Sequence, residues 1–325
     1  MQHPIVDKCR DVPIEVMKME TLSNRLKEQH YKKKAVDQKA KNLRAGLHGE
    51  ESLDFMLSFL PSDSFHILHN LRIRDQSEYF QIDNLISSPK FILINEVKNI
   101  AGTVTYDDFG QAVRASKDGE EVNFGNHIEQ VNLQHIRLLH WMRTQGLPLI
   151  PIEKLVIYSN PATLLKNPAN NQAVTEMVIH KEQLLTKIDE LSIKHQSTAL
   201  SSEQLDRLSA LLIKAHSPKN IDVMKKFNIS RSDIQCGVFC PTCGALPMTR
   251  INGSWQCYRC KCISKNAHMP ALQDYCFLFG NQISNRAARE FLKVDSTHVM
   301  KRILQKAKFA FTGRTTKRFY QLPFY

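Results

Sequence analysis

The chain has 325 residues, of which 42% are hydrophobic, and it carries 44 Lys and Arg against 32 Asp and Glu. This composition is typical of a globular protein long enough for two or three domains, and it excludes a largely disordered chain. No apolar run reaches the length of a membrane span, and the amino terminus lacks the pattern of a secretory signal. We therefore expect a cytoplasmic protein without a membrane partner.

The positive charge is distributed unevenly along the chain. Residues 1–45 carry 11 Lys and Arg against 6 Asp and Glu, residues 46–230 carry 18 against 22, and residues 231–325 carry 15 against 4. The basic C-terminal part suits a polyanion such as nucleic acid, because neutralised phosphates release their counterions. A basic surface with no partner beyond water is the alternative.

The first predicted elements are helical. Residues 1–40 are polar and rich in lysine, with a thin apolar stripe, and they predict a basic helical arm. Apolar residues then recur at helical spacing from Leu53 to Leu60, and Pro61 ends the run. Glu50 falls on or beside the buried stripe of this helix.

Two apolar strands follow within residues 79–99, joined by a Ser-Ser-Pro-Lys turn. The first strand carries Asp83, and the second carries Glu96 and Lys98. Because side chains alternate along a strand, Glu96 and Lys98 share a face, and an antiparallel partner could bring Asp83 beside them. Converging carboxylates can hold a hard divalent cation, and an adjacent ammonium can help to activate water for attack on phosphorus. The pattern therefore predicts a metal-dependent phosphodiesterase.

The remaining elements of this region complete a domain. An amphipathic helix is predicted over residues 126–142 and a β-branched strand over residues 155–158. The order of helix, strands, helix and strand predicts an α/β domain over residues 41–165. Residues 166–230 then predict two charged helices as a helical connector, which could be a bracing hairpin on the first domain or a coiled coil that binds a partner.

A cysteine cluster predicts a zinc ribbon at residues 231–264. Two Cys-x-x-Cys pairs are separated by 13 residues, which suits four thiolates around a tetrahedral Zn²⁺. Cys236 and Cys262 flank the set, but each lies outside a two-residue knuckle. The predicted zinc ligands are Cys240, Cys243, Cys257 and Cys260.

Residues 265–325 predict two helices followed by a basic β-hairpin. Ser284 and Ser296 stand where they can cap the two helices, and the tail alternates and turns at Gly313. This arrangement looks similar to a winged helix-turn-helix, although any helical hairpin followed by a basic strand pair would look alike. The residues predicted to lie near phosphates on the wing are Arg314, Lys317 and Arg318.

Taken together, several segments resemble the nuclease-related domain, called NERD, of the PD-(D/E)xK superfamily. They are Gly46-Leu47-His48-Gly49-Glu50, Gln81-Ile82-Asp83, Asn95-Glu96-Val97-Lys98-Asn99 and the helix bearing Gln130. The resemblance covers roughly residues 40–165 and implies a restriction-endonuclease-like sheet flanked by helices. It also implies Mg²⁺ or Mn²⁺ near Glu50, Asp83 and Glu96, with Lys98 stabilising charge at the phosphate and Gln130 lining the site.

One departure from the family pattern concerns the glutamine. Asn126-His127 stands where family members often have Asn-Pro, so Gln134 is the alternative to Gln130. Taken singly, Glu96 and Lys98 could also be a strand end that reaches solvent.

The leading hypothesis is a metal-dependent nuclease acting on DNA and targeted by the zinc ribbon and winged helix. The alternative is a DNA-binding or regulatory protein with a silent nuclease core. Basic charge alone does not distinguish DNA from RNA as the substrate.

Overall fold

The computed structural model describes residues 5–61, 64–115, 121–314 and 318–324. The helices are α1 Ile14–Arg25, α2 Lys33–Glu51, α3 Asp54–Leu57, α4 His127–Thr144, α5 Gln172–Met177, α6 Leu184–Lys194, α7 Ser202–Ala215, α8 Val223–Lys226, α9 His268–Phe279, α10 Asn285–Leu292 and α11 Thr297–Lys306.

The strands of the larger part of the chain are β1 Ile5–Lys8, β2 His66–Asp75, β3 Glu78–Ser87, β4 Ile92–Lys98, β5 Gly102–Tyr106, β6 Ala112–Ala115, β7 Glu121–Asn123, β8 Ile152–Tyr158, β9 Thr163–Lys166 and β10 Val178–His180. Shorter strands follow: β11 Thr249–Ile251, β12 Ser254–Gln256, β13 Ile263–Ser264, β14 Gln282–Ser284, β15 Phe311–Thr312 and β16 Phe319–Gln321.

The chain forms two compact units. Unit 1 comprises residues 1–12 and 43–218, and unit 2 comprises residues 13–42 and 219–325. Residues 1–40, predicted as a helical arm, are thus divided between the units: β1 lies in unit 1 and α1 in unit 2. Within the described residues, no helix has the length and apolarity that crossing a bilayer requires.

Unit 1 is built on a mixed sheet of strand order β1-β2-β3-β4-β8-β10. The pairs β2/β3 and β3/β4 are antiparallel, whereas β1/β2, β4/β8 and β8/β10 are parallel. Helices cover both faces of this sheet, because its strands carry apolar side chains on each side. The mixed sheet flanked by helices agrees with the fold class predicted from the sequence.

The two faces of the sheet have separate cores. Leu138 and Trp141 of α4 and the leucines of α7 pack on one face, and Leu57 of α3 and the apolar residues of α6 pack on the other. The helices α6 and α7, within the predicted connector, therefore bury their apolar stripes in unit 1, but on opposite faces of the sheet rather than as a hairpin.

A second sheet lies in the same unit, with strand order β7-β6-β5-β9. Its Val104 and Tyr106 share a core with Ile128 and Val131 of α4 and with Tyr158 of β8. The amino-terminal part of α4 is consequently held between the second sheet and the end of β8.

Unit 2 contains two small antiparallel sheets, β11-β12-β13 and β14-β16-β15. The chain order around the second sheet is α9, β14, α10, α11, β15 and β16. The predicted serine caps are confirmed, since Ser284 accepts a hydrogen bond from Ala287 N and Ser296 accepts one from Val299 N.

Arg25, at the end of α1, is a fully buried cation of unit 2. Its side chain is fully buried and forms a 2.6 Å ion pair from Nε to Asp274 Oδ2. Its Nη1 donates to the carbonyl oxygens of Gln235 and Gly237, and its guanidinium lies 4.7 Å from the Phe291 ring centroid. Burial lowers the pKa of Arg25 and raises the pKa of Asp274, so each group relies on the other to remain charged.

We expect Arg25→Met to lower the free energy of unfolding of unit 2 by about 3 kcal/mol, because it leaves a partly buried carboxylate and two carbonyls without a donor. Chemical denaturation followed through Trp255 fluorescence in a Trp141→Phe background measures this loss. The matched control is Arg286→Met, which removes an exposed i,i+4 pair with Glu290 and should cost less than about 1 kcal/mol. Equal losses in both variants would contradict the structural role of Arg25.

Candidate active site

The candidate site lies where β3 and β4 stop pairing. Their antiparallel register runs from Ser87 opposite Ile92 to Asn84 opposite Asn95 and ends there. Asp83 is the next residue of β3, and its Oδ2 accepts a hydrogen bond from Val97 N at 3.0 Å. The carboxylate of Asp83 thus takes a backbone donor beyond the last paired residues, which holds it next to the strand that carries Glu96.

A local distortion of β2 and β3 accompanies this position. Asn70 lies between the register pairs His69/Asn84 and Leu71/Ile82, where no pair with Asp83 forms, and it has a φ of 50°. Leu68 and Leu71 belong to the same core cluster although three positions separate them, so the alternation of β2 shifts there by one residue. Simple alternation along the strand would not predict this shift.

The side chains of Glu96 and Lys98 contact each other and two glutamines of α4. Lys98 Nζ lies 2.7 Å from Glu96 Oε1 and donates to Gln130 Oε1 at 2.9 Å. Gln134 Nε2 donates to Glu96 Oε2 at 2.7 Å. The two glutamines lie one turn apart on α4, so the favoured Gln130 and the alternative Gln134 both reach the strand, one through the lysine and the other through the glutamate.

Glu50 approaches from the last turn of α2, where Gly49 allows a close helix contact. A Cβ on Gly49 would lie 2.7 Å from Asn99 Cβ and 2.8 Å from Ser159 Oγ. Asn99 also donates from its side chain to Ala45 O at 2.7 Å. The glycine before the glutamate is therefore needed because the helix end lies directly against the residues that follow β4 and β8.

The three carboxylates carry more negative charge than their neighbours neutralise. Burial and the charges of Glu96 and Glu50 raise the pKa of Asp83 well above its usual range. Burial, opposed by Arg10 and reinforced by Glu96, raises the pKa of Glu50 to about 7. Such a set of carboxylate oxygens fits a hard divalent cation, which would favour the ionised forms.

The spacing of these carboxylates differs from that of the cysteines. In the described ranges, the cysteine group is the one whose donor atoms all lie within 4.8 Å of each other. The oxygens of Glu50, Asp83 and Glu96 are spread more widely, with one Glu96 oxygen engaged by Lys98 and the other by Gln134.

Arg10 is the site residue that sequence reasoning missed. Its side chain is 4% exposed, and Nη1 lies 2.8 Å from Glu50 Oε2 while Nη2 lies 3.0 Å from Asp54 Oδ1. Nη2 also donates to Asn84 Oδ1 at 2.7 Å and lies 2.8 Å from His69 Nδ1. No motif marks this arginine, because its partners are distant in sequence and it follows the short edge strand β1.

His127, at the start of α4, is buried beside the lysine rather than exposed in the site. Its Nδ1 lies 3.1 Å from Tyr158 Oη, and Tyr158 Oη lies 3.1 Å from Tyr106 Oη. Burial and the charge of Lys98 lower the pKa of His127 to about 3. The imidazole is therefore neutral and belongs to a buried hydrogen-bond network, as expected for a core histidine.

The predicted zinc ligands converge in unit 2. The Sγ atoms of Cys240 and Cys260 lie 3.5 Å apart, and those of Cys243 and Cys257 lie 3.6 Å apart. Four sulfur donors at these separations fit a closed tetrahedral zinc site. Cys262, one of the two flanking cysteines, instead accepts a hydrogen bond from Thr242 Oγ1.

The three basic residues of the predicted wing differ in their surroundings. Arg314 is exposed at the end of the β15 segment. Arg318 is partly buried, with its guanidinium 4.2 Å from the Phe311 ring centroid. Lys317 lies outside the described residues.

We expect Gly49→Ala to lower the free energy of unfolding of unit 1 by about 1 to 3 kcal/mol, because the new methyl group forces α2 away from the ends of β4 and β8. Gly46→Ala is the matched control on the same helix, since its Cβ meets nothing within 4 Å. It should leave stability unchanged or raise it by up to about 1 kcal/mol. Urea denaturation followed through Trp141 fluorescence compares them, and equal stabilities would contradict the close contact.

Comparisons with known proteins agree with this geometry. Residues 45–159 match the family model of the nuclease-related domain, NERD. An uncharacterized protein of Bacillus anthracis is 27% identical over 106 residues, covering 32% of this chain and 50% of that protein. The matched stretch thus spans about half the length of this relative, and no solved structure matches the chain significantly. This chain therefore carries a nuclease-related domain at residues 45–159.

Proposed function

We propose that the protein is a cytoplasmic, metal-dependent nuclease that hydrolyses phosphodiester bonds of DNA. The observation that carries this proposal is the grouping of Asp83, Glu96 and Lys98 at the point where β3 and β4 separate, with Glu50 nearby. Raised pKa values for two carboxylates of this group support a site that binds a divalent cation.

Asp83 and Glu96, with Glu50 beside them, would hold Mg²⁺ or Mn²⁺. A bound cation of this kind would supply Lewis-acid polarisation and an acidified water for a hydrolysis that breaks one P–O ester bond. Lys98 would place its ammonium at the scissile phosphate and stabilise the negative charge that develops there. Gln134 orients Glu96 through its hydrogen bond, and Gln130 does the same for Lys98.

The C-terminal unit would deliver the nuclease domain to DNA. We propose that Zn²⁺, held by the cysteine cluster, fixes the β11-β12-β13 ribbon, which has little core of its own. The order of α9, β14, α10, α11 and the β15-β16 hairpin supports a winged helix. Arg314, Lys317 and Arg318 would then contact DNA phosphates.

A second candidate function is a DNA-binding protein whose nuclease core is silent. Arg10 favours it, because its guanidinium already forms an ion pair with Glu50 and would compete with a cation for that carboxylate. RNA as the substrate is the third outcome that the same assays distinguish.

We expect the purified protein to cut supercoiled, linear or single-stranded DNA in Mn²⁺ or Mg²⁺, and Lys98→Ala to lower the rate by about 100-fold or more because the developing charge loses its cation. Lys166→Ala, at the exposed end of β9, is the matched control and should cut like the wild type. Gel assays with DNA and RNA substrates measure both variants.

Three results would count against this function. Equal cutting by wild type and Lys98→Ala would indicate a contaminating enzyme. Tight, salt-sensitive DNA binding without hydrolysis in either metal, and unchanged by Asp83→Asn, would favour the silent core. Preferential cutting of RNA would replace DNA as the substrate.

We expect about one Zn²⁺ per chain after purification without added metal, because a closed site of four thiolates binds zinc tightly. Cys243→Ser combined with Cys260→Ser should reduce the zinc content to near zero, whereas Cys9→Ser, a change at an exposed cysteine of unit 1, should leave it unchanged. Elemental analysis of the folded proteins gives the ratio. Full zinc content in the double variant would place the metal elsewhere.

A further inference from the structure

A basic groove in unit 2 lies outside the candidate active site and outside the predicted wing. Its volume is about 540 Å³, and it is bordered by the β11-β12 hairpin, the segment before α9 and one face of α11. Each of these segments contributes cationic side chains to the groove, which are Arg250, Lys265, Arg302 and Lys306.

The charge of this groove is not compensated by the protein. No acidic residue lines it. Across the described part of the chain, none of its four cations has a carboxylate oxygen within 4.0 Å. Two acidic residues elsewhere in the C-terminal part of unit 2 already have partners, since Asp274 pairs with Arg25 and Glu290 pairs with Arg286.

Arg250 has buried donors that lack acceptors. Its Nε and Nη1 atoms are enclosed, and neither has a hydrogen-bond partner among the described residues. The guanidinium lies 5.1 Å from the Trp255 ring centroid, which fixes its plane against a fully buried indole. Because these two nitrogens are enclosed, a ligand in the groove would reach Arg250 through the remaining nitrogen, Nη2, and a guanidinium binds an oxyanion well.

His268 is close enough to two of the cations for both of their charges to affect its pKa. Trp255 Nε1 donates to His268 Nδ1 at 3.2 Å, so the imidazole is held against Trp255 of β12. Burial and the charges of Arg250 and Lys306 lower the pKa of His268 to about 4. The histidine is therefore neutral, and the positive charge of the groove belongs to the arginines and lysines.

We propose that this groove binds the sugar-phosphate backbone of DNA, so that the zinc ribbon and α11 hold one stretch of strand together. This inference rests on the proposed function for the choice of DNA. Cations on three separate segments match a run of phosphates better than a single free anion, which Arg250 alone would satisfy. The amides of Asn252 and Asn266 also line the groove, but its four cations make phosphate groups the main expected contacts.

The test measures binding of a fluorescent DNA duplex and single strand to the full chain in Ca²⁺, without a chelator that would remove zinc. Arg302→Gln combined with Lys306→Gln should weaken binding by about tenfold or more and reduce the slope of log K against log salt by about 2, since two phosphate contacts are lost. Both residues are exposed on α11, so the helix should remain folded.

The matched control is Lys301→Gln combined with Lys308→Gln. Both lysines are exposed and do not line the groove. Their substitution removes the same charge as the first double variant. The control should weaken binding much less than the double variant of Arg302 and Lys306, which is called the groove variant. Equal effects of the two double variants, or wild-type affinity in the groove variant, would overturn the proposal, as would a loss confined to RNA binding.

Failure of this inference is separable from failure of the nuclease function. If the groove binds DNA, the groove variant should cut at the wild-type rate once DNA is saturating, with a raised KM. If the protein is not a nuclease, the difference in binding between the two double variants persists without any cutting.

Inorganic phosphate at millimolar concentration should displace DNA weakly. Complete displacement at that concentration would indicate a site for a free anion and would contradict the proposal. Zinc content equal to that of the wild type serves as the folding control for each variant.

Discussion

The place of Asp83 in the candidate site depends on one hydrogen bond, from Val97 N to its carboxylate. Because β3 and β4 stop pairing at Asn84 and Asn95, a side chain takes the place of a backbone acceptor. The same bond holds a buried carboxylate next to Glu96, where its ionisation is disfavoured. The sheet thus keeps its backbone satisfied while it concentrates negative charge, and a divalent cation would relieve that charge.

Two arginines of unit 2 show how a structural cation differs from one suited to a ligand. Arg25 is fully buried, and its Nε and Nη1 have a carboxylate and two carbonyl oxygens as acceptors, whereas its Nη2 has no partner in the described residues. Part of the Arg250 guanidinium is also enclosed by the protein, but two of its nitrogens have no acceptor in the described residues. Both stack on aromatic rings, so packing alone does not separate them. The two arginines differ in whether oxygen atoms of the protein accept hydrogen bonds from the guanidinium.

Sequence reasoning identified the features that depend on local spacing. The two-residue interval of Glu96 and Lys98, the cysteine knuckles and the capping serines all express the geometry of one strand, one turn or one helix end. Arg10 could not be found in this way, because its contacts reach residues 40 to 74 positions away. The break between α2 and α3 was missed too, since the sequence predicts Glu50 on the same helix as residues 53–60, whereas α2 ends at Glu51 and α3 covers Asp54–Leu57.

The position of β1 makes the chemistry of the site sensitive to the segment that carries β1 and Arg10. β1 is an edge strand that pairs with β2, and Arg10 lies two residues beyond its end. A protease that trimmed this short segment would uncover a row of unpaired backbone groups, which favours association with another strand. The same cut would leave Glu50 without its guanidinium partner, and that carboxyl group would then hold its proton more strongly.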